Sequence, residues 1–107
     1  MSKYHSTPTE VNGIRFDSKR EANRWAELKL LERGHVITDL RRQVRYIIAP
    51  QTTVEGVKFT TKVYVADFVY HKDGKLVVED VKGYRTQEYK LKRHLMALNY
   101  QILVVET

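Results

Sequence analysis

The chain has 107 residues and a mass of 12.6 kDa, and 42% of its residues are hydrophobic and 30% charged. This size predicts one domain with one core and excludes a second domain. The chain has no cysteine, which excludes disulfide frameworks, thiolate zinc sites and cysteine nucleophiles. Its 19 Lys and Arg residues outnumber its 13 Asp and Glu residues, and the formal charge of +6 favours a polyanionic partner such as nucleic acid.

The first part of the chain is polar and without periodicity. It predicts a flexible N-terminal arm over residues 1–12, followed by a single domain over residues 13–107. No signal-peptide pattern opens the chain, and its apolar runs are too short to span a bilayer, so we expect a cytoplasmic protein without membrane contact.

The segment from Ser18 to Arg33 is rich in helix formers, and Gly34 follows as a stop signal. It predicts a first helix of about four turns. At 100° per residue, Arg24 and Glu27 point away from the core. The inward arc holds Glu21, Ala22, Trp25, Ala26, Leu28 and Leu30.

Several β-rich segments follow this helix. Val36 to Thr38 and Arg41 to Ala49 read as strands, and the polar stretch around Gly56 reads as a weak edge strand. Lys62 to His71 reads as a central strand, because both of its alternating sets are apolar. One set is Val63, Val65, Asp67 and Val69, and the other is Tyr64, Ala66, Phe68 and Tyr70.

The second half of the chain predicts a strand, a helix and a parallel strand. Asp73-Gly74 is a hairpin signal before a strand from Lys75 to Lys82. After a break at residues 83–85, Thr86 caps a helix that ends near Asn99, and Gln101 to Glu106 forms the last strand. The predicted class is α/β with a mixed sheet, in the order helix, antiparallel β-meander, helix and parallel strand.

This hairpin places two carboxylates face to face. With Asp73 and Gly74 as the two loop residues, Lys72 pairs with Lys75, and the same register sets Asp67 opposite Asp80. Like charges about 5 Å apart on one sheet face are destabilising, so a cation should offset them. Lys82 supplies one positive charge, and a hard divalent cation bound by oxygen ligands supplies the rest. The alternatives are an ion-pair cluster without a metal, or a three-residue loop that shifts the register.

Two other acids, Glu79 and Glu21, differ in whether their positions allow them to reach the same site. Glu79 points to the face opposite Asp80 and is therefore not a predicted ligand. Ser18-x-x-Glu21 fits a capping box in which Glu21 reaches back to the Ser18 amide. The position of Glu21 on the inward helical arc instead aims its carboxylate at the sheet, as a third metal ligand. Both alternatives stay open from the sequence.

These residues resemble the PD-(D/E)XK nuclease superfamily. The resemblance rests on Asp67, twelve intervening residues and Asp80-Val81-Lys82, preceded by a helix with Ser18-x-x-Glu21, and it covers about residues 13–107. Within the superfamily, the chain is similar to small phage- and prophage-encoded endonucleases related to Holliday-junction resolvases and to transposase cutting subunits. Ala66 stands where the superfamily name has proline.

The resemblance implies a restriction-endonuclease-like fold and a set of site residues. Asp67, Asp80, the Val81 carbonyl and Glu21 would hold Mg²⁺, with Mn²⁺ as a substitute. Lys82 would orient or activate the attacking water, so that Glu21, Asp67, Asp80 and Lys82 would form the catalytic set. Gln43 falls where relatives place a polar residue near the site.

The inferred reaction also needs groups that position DNA. Basic residues around the second helix are the candidates, namely Arg85, Lys90, Lys92 and Arg93. The alternative is that Lys90, Arg93 and His94 form a solvated face opposite a core stripe of Leu91, Leu95 and Leu98.

The sequence therefore leads to a Mg²⁺-dependent DNA endonuclease. The resemblance implies branched, junction or flap DNA as substrate in phage DNA metabolism, a homodimer, and the host bacterial cytoplasm as location. The competing hypotheses are a non-catalytic basic nucleic-acid-binding module with the same fold, because binding needs only phosphate contacts, and a protein-binding phage accessory.

Overall fold

The computed structural model describes residues 7–82 and 84–107, so Gly83 and the first six residues of the predicted arm lie outside the described part. In chain order, the elements are β1 (Thr9–Val11), β2 (Ile14–Phe16), α1 (Lys19–Arg33), β3 (Thr38–Ala49), β4 (Thr52–Val54), β5 (Val57–Phe59), β6 (Lys62–Lys72), β7 (Lys75–Asp80), α2 (Gln87–Tyr100) and β8 (Val105–Glu106). The predicted order of helix, antiparallel meander, helix and parallel strand is confirmed.

The main sheet has the strand order β3-β6-β7-β8. β6 pairs antiparallel with β3 and β7, and β8 pairs parallel with β7 after the crossover through α2. β8 is shorter than the predicted Gln101 to Glu106. Gln101 takes the left-handed conformation, with φ of 56°, and its N–H caps α2 on the Ala97 carbonyl, so these residues end the helix before the chain returns to the sheet.

Two hairpins lie outside the main sheet. Residues 9–11, which the sequence analysis placed in the arm, form β1 and pair with β2. The turn is Asn12-Gly13 with φ of 51° and 80°, a strong hairpin signal in the sequence. The predicted weak edge strand around Gly56 is likewise the hairpin β4–β5, with positive φ at Glu55 and Gly56.

Helix α1 has the predicted caps. The Ser18 hydroxyl accepts the Glu21 N–H at 3.1 Å, and the Gly34 N–H donates to the Leu30 carbonyl at 3.0 Å. Its inner face is narrower than predicted, since Leu28 is buried but Leu30 is 65% exposed. Arg24 was predicted to point away from the core and instead contacts the sheet, where a buried carboxylate attracts its guanidinium.

Helix α2 buries a different stripe from the predicted one. Tyr89 and Met96 face the core, and Leu95 packs against it, whereas Leu91 and Leu98 are 59% and 68% exposed, so the predicted leucine stripe is wrong at these two positions. Two side chains at the end of α2 fix its rotation through hydrogen bonds to carbonyl oxygens of β3. Asn99 Nδ2 donates to Ile48 at 2.8 Å, and Tyr100 Oη donates to Ile47 at 2.6 Å.

At one point along β3 and β6, the alternating side chains change the face of the sheet to which they point. Gln43 has a φ of 52°, and on either side of it the alternating side chains pack against different helices. The face toward α2 carries Val44, Tyr46, Ile48, Tyr64, Ala66, Val69 and Val78. The face toward α1 carries Leu40, Phe68, Tyr70 and Val77. The strict alternation predicted for Lys62 to His71 is therefore wrong, because Tyr64 and Ala66 face α2 whereas Phe68 and Tyr70 face α1.

The left-handed backbone at Gln43 gives a testable difference in stability. A residue with a Cβ is strained in this conformation by about 1–2 kcal/mol, and glycine is not. We expect Gln43→Gly to be more stable than Gln43→Ala by about 1 kcal/mol in urea unfolding. The same pair of variants at Arg45, in regular β conformation, should have the opposite order. Equal stabilities of the two Gln43 variants would contradict the strain.

Candidate active site

The β6–β7 register brings Asp67 and Asp80 together. Lys72 pairs with Lys75, as predicted, and the register ends at Phe68 opposite Glu79, so Asp67 and Asp80 occupy the next position on each strand. Their carboxyl groups are close enough to interact directly. Asp80 is buried and Asp67 half-buried. The Val81 N–H donates to Asp67 Oδ2 at 2.8 Å, which holds this carboxyl at the end of β7. The sequence prediction of two adjacent carboxylates is confirmed in this respect.

The proximity of the two acids changes the proton affinity of the pair. Burial, and then the negative charge of Asp80, raise the pKa of Asp67 to about 8, against the opposing effect of the Val81 amide. Near neutral pH the pair therefore retains a proton. A divalent cation between the two carboxylates would replace that proton and remove the repulsion.

Lys82 and two tyrosines surround the inner acid. Lys82 Nζ lies 3.0 Å from Asp80 Oδ1 and 4.2 Å from the centre of the Tyr89 ring. Tyr64 Oη donates to Asp80 Oδ2 at 2.5 Å. Sequence reasoning missed Tyr64, because strict alternation places it on the face away from Asp67. The alternation of β6 is interrupted between Ala66 and Phe68, and Tyr64 lies beside Asp80.

Glu21 reaches the same region from α1. Its carboxylate is buried and accepts a hydrogen bond from Gln43 Nε2 at 3.3 Å, so the structure brings these two predicted residues together. Burial, and then the nearby charge of Asp17, raise the pKa of Glu21 above its ordinary value. The backbone N–H of Glu21 meets the Ser18 cap while its side chain turns toward the sheet. Ser18 is thus the cap, the Glu21 backbone N–H is its donor, and the Glu21 carboxylate contacts Gln43 on the sheet.

Whether a metal ion fits this site depends on the donor atoms around Asp67 and Asp80. Among residues 7–82 and 84–107, no three His, Cys, Asp or Glu side chains form a group that could hold a metal ion. The side chains of Asp67 and Asp80 are hard oxygen donors, and Mg²⁺ is commonly held by one or two carboxylates with several waters and substrate phosphates. Asp67 and Asp80 fit this pattern. The binding of Mg²⁺ and the ligand roles of Glu21 and the Val81 carbonyl stay predictions.

Glu79 lies on the opposite face from Asp80, as predicted. It is fully buried, and Arg24 donates to it through Nε at 2.6 Å and Nη2 at 3.1 Å. Tyr70 Oη and Thr107 Oγ1 donate to the same carboxylate at 2.6 and 3.0 Å. The contact with Arg24 ties α1, which carries Glu21, to β7, which carries Asp80. Glu79 therefore holds the two halves of the site in place without being part of it.

The predicted DNA-contacting residues divide between two clefts. Lys92 lines a cleft of about 270 Å³ with Asp80 and Lys82, and its Nζ lies 3.1 Å from Glu88 Oε1. The other three, Arg85, Lys90 and Arg93, line a second cleft of about 500 Å³. Arg85 pairs with Glu106 at 2.9 Å, and Arg93 Nε donates to the Val104 carbonyl at 3.1 Å. Lys90 and His94 are exposed, as the alternative of a solvated face predicts, whereas Arg93 is half-buried.

The raised pKa of Asp67 predicts an unusual pH dependence of the free energy of unfolding. The unfolded carboxyl ionises near its ordinary pKa of 3.8, whereas the folded one holds its proton up to about 8, so the metal-free protein loses stability as the pH rises between these values. Asp67→Asn removes this loss. We expect the variant to be more stable than wild type by about 1–3 kcal/mol at pH 8 with EDTA, and by much less at pH 4.

Urea unfolding at the two pH values measures this effect. Asp73→Asn, at an exposed acid in the β6–β7 turn, controls for the change in charge alone. Mg²⁺ should stabilise wild type at pH 8 and leave Asp67→Asn unchanged. A destabilised Asp67→Asn at pH 8 would show that the two acids do not repel each other.

Comparison with known proteins gives one family. A family model described as DUF1064, protein of unknown function, matches residues 1–106. No curated protein and no solved structure matches the chain. Within the part of the chain that the structure describes, neither helix is long and apolar enough to cross a membrane.

Proposed function

The chain belongs to DUF1064, a family whose description gives no activity, and we propose from the site itself that the protein is a Mg²⁺-dependent DNA endonuclease. The observation that carries the proposal is the proximity of the Asp67 and Asp80 carboxyl groups beside the Lys82 ammonium. The pair retains a proton when no metal is bound, which is the electrostatic situation that a divalent cation relieves. The likeness of Asp67 and Asp80-Val81-Lys82 to the PD-(D/E)XK motif supports the same proposal.

The proposed reaction is hydrolysis of a phosphodiester bond. Asp67 and Asp80 would hold the ion, which when bound supplies Lewis-acid polarisation of the phosphoryl oxygen and a water of lowered pKa. Lys82 is held beside Asp80, so its ammonium meets the negative charge that develops on the phosphate. Glu21 and Gln43 form a hydrogen-bonded acceptor and donor at the α1 side, and they would orient water there.

The wider proposal follows the resemblance of the sequence. It includes branched, junction or flap DNA as substrate, a homodimer that makes one cut per subunit, and action on phage DNA in the bacterial cytoplasm. The net charge of +6 supports a nucleic-acid partner. Substrate preference and subunit number are separate from the chemistry and are tested separately.

A cleavage assay with designed DNA tests the proposal. Duplex, nicked and four-way-junction DNA are incubated with wild type or Asp80→Asn, in Mg²⁺, Mn²⁺ or EDTA. We expect cutting by wild type only, and only with a metal. Equal cutting by both proteins would place the activity elsewhere. Salt-sensitive DNA binding by wild type without any cutting would favour the non-catalytic nucleic-acid-binding module. If neither activity is found, the protein-binding accessory becomes the better hypothesis.

A further inference from the structure

The larger of the two clefts differs in chemistry from the acidic site beside it. We call it the basic cleft, and it lies between α2 and the chain that leads into β8. Three cations surround an apolar floor in a volume of about 500 Å³, which is within the range of small-molecule sites. The cations are Arg85, Lys90 and Arg93, and the floor is formed by Tyr89, Ala97 and Leu103. Such a lining suits a ligand with a flat apolar body and a negative charge.

Two polar side chains, Tyr89 and Glu106, also line the basic cleft. Tyr89 is only 6% exposed, and its hydroxyl and the Glu106 carboxylate interact with each other. Together they form a polar edge beside the apolar floor of the cleft. Burial, and then the Glu106 carboxylate, raise the pKa of Tyr89, which keeps its hydroxyl a donor.

Tyr89 connects the basic cleft to the acidic site. Its side chain lines both clefts, and the Lys82 ammonium lies over its ring at 4.2 Å. A ligand in the basic cleft is therefore next to any phosphate held at Asp80 and Lys82. This adjacency fits a polymer that places one unit in each cleft.

We propose that the basic cleft binds an unpaired nucleotide next to the phosphate that is cut. The proposal rests on the proposed nuclease function and names its substrate class as DNA with an unpaired segment beside the cleavage point. A base in a duplex has both faces stacked and its edge paired, and it cannot reach an apolar floor unless it leaves the stack. An unpaired base can lie on Ala97 and Leu103, which are exposed in the cleft, with its phosphate between Arg85, Lys90 and Arg93.

Two exposed neighbours on α2 provide matched variants. Ala97 lines the basic cleft, whereas Leu98 is exposed and lines neither of these two clefts. Ala97→Trp should fill the cleft, and Leu98→Trp adds the same indole outside it. Neither residue is in the core, and thermal unfolding of both variants checks that they fold.

Binding in EDTA separates this proposal from cleavage. Fluorescence anisotropy is measured with a blunt duplex and with the same duplex carrying a five-nucleotide unpaired flap. Wild type and Leu98→Trp should bind the flap DNA at least about fivefold more tightly than the blunt duplex, because each stacked base adds affinity. Ala97→Trp should bind both DNAs equally. In a second experiment, dAMP and dTMP titrated into ¹⁵N-labelled wild type should shift the amide signals of Tyr89, Lys90 and Leu103.

The outcomes distinguish the two proposals. If the mononucleotides shift none of these signals, or if Ala97→Trp keeps the flap preference, the nucleotide site is wrong, and metal-dependent cutting of other DNA would leave the nuclease proposal standing. If the nucleotides bind in the basic cleft and Ala97→Trp removes the flap preference but no DNA is cut with Mg²⁺, the nucleotide site is supported and the nuclease proposal fails.

Discussion

Replacing Lys82 with methionine should slow Mg²⁺-dependent DNA cleavage by about 10²- to 10³-fold, the usual effect of removing one preorganised charge at a reacting group. The methionine side chain keeps most of the lysine stem and its contact with Tyr89 but has no ammonium. Because Lys82 Nζ lies 3.0 Å from Asp80 Oδ1, its loss also leaves the acid pair with one positive charge fewer. The affinity of the site for Mg²⁺ should therefore be kept or increased.

Two measurements on each variant separate catalysis from metal binding. Single-turnover cleavage reports the chemical step, and calorimetric titration with Mg²⁺ reports binding to the acids. Lys82→Met should lose cleavage and keep Mg²⁺ binding, whereas Asp80→Asn should lose both. Lys75→Met, at the exposed start of β7, the strand that leads to Lys82, is the matched control and should change neither.

The opposite result would assign a different role to the lysine. If Lys82→Met cuts DNA at the wild-type rate, the ammonium only neutralises the acid pair, and the alternative of a structural ion-pair cluster gains support. If Lys82→Met loses Mg²⁺ binding together with cleavage, the lysine positions Asp80 and does not act on the phosphate. Both readings are visible in the same two measurements.

Local signals in the sequence were sufficient for the parts of the fold that turns and caps specify. Asp73-Gly74 specified a two-residue loop, and this loop sets the register from Lys72 opposite Lys75 to Phe68 opposite Glu79, which leaves Asp67 and Asp80 at the next position on each strand. Ser18 and Gly34 fixed the ends of α1 in the same way. In each of these cases one or two residues determine the geometry, so no knowledge of the tertiary structure is needed.

The rest of the site depends on tertiary packing. The left-handed backbone at Gln43 has no signature in a glutamine. The sequence of β6 likewise does not show the interruption of its alternation after Ala66, and Tyr64 lies beside Asp80. The rotation of α2 depends on hydrogen bonds from Asn99 and Tyr100 to carbonyl oxygens about 50 residues earlier in the chain. A helical periodicity of leucines cannot anticipate such bonds, which explains why the leucine stripe was wrong.

The acids at positions 79 and 80 are neighbours in sequence with opposite energetic roles. Asp80 faces another carboxylate, so the metal-free protein bears a repulsion there. The partners of Glu79 are one guanidinium and two hydroxyls, which satisfy its charge inside the core. A site in which two carboxylates repel each other needs a rigid frame. The ion pair between Glu79 and Arg24 supplies this frame by joining α1 to β7.

Substituting Glu79 should therefore cause a large loss of stability. Glu79→Ala leaves the Arg24 guanidinium unpaired at the sheet and two hydroxyls without an acceptor, and we expect a loss of about 3–5 kcal/mol in the free energy of unfolding. Urea unfolding of the metal-free protein at pH 7 measures it. Glu27 also accepts from Arg24, at 3.0 Å, but it is exposed, so Glu27→Ala should cost at most about 0.5 kcal/mol.

A double-mutant cycle then distinguishes the pair from its members. Arg24→Met combined with Glu79→Met removes both charges together, and it should cost clearly less than the sum of the two single substitutions. Additive losses would mean that the two side chains contribute independently, and the proposed frame between α1 and β7 would be wrong. If the pair does act as the frame, Glu79→Gln, which keeps the size and part of the hydrogen bonding, should retain Mg²⁺ binding at Asp80 better than Glu79→Ala, because α1 and β7 stay joined.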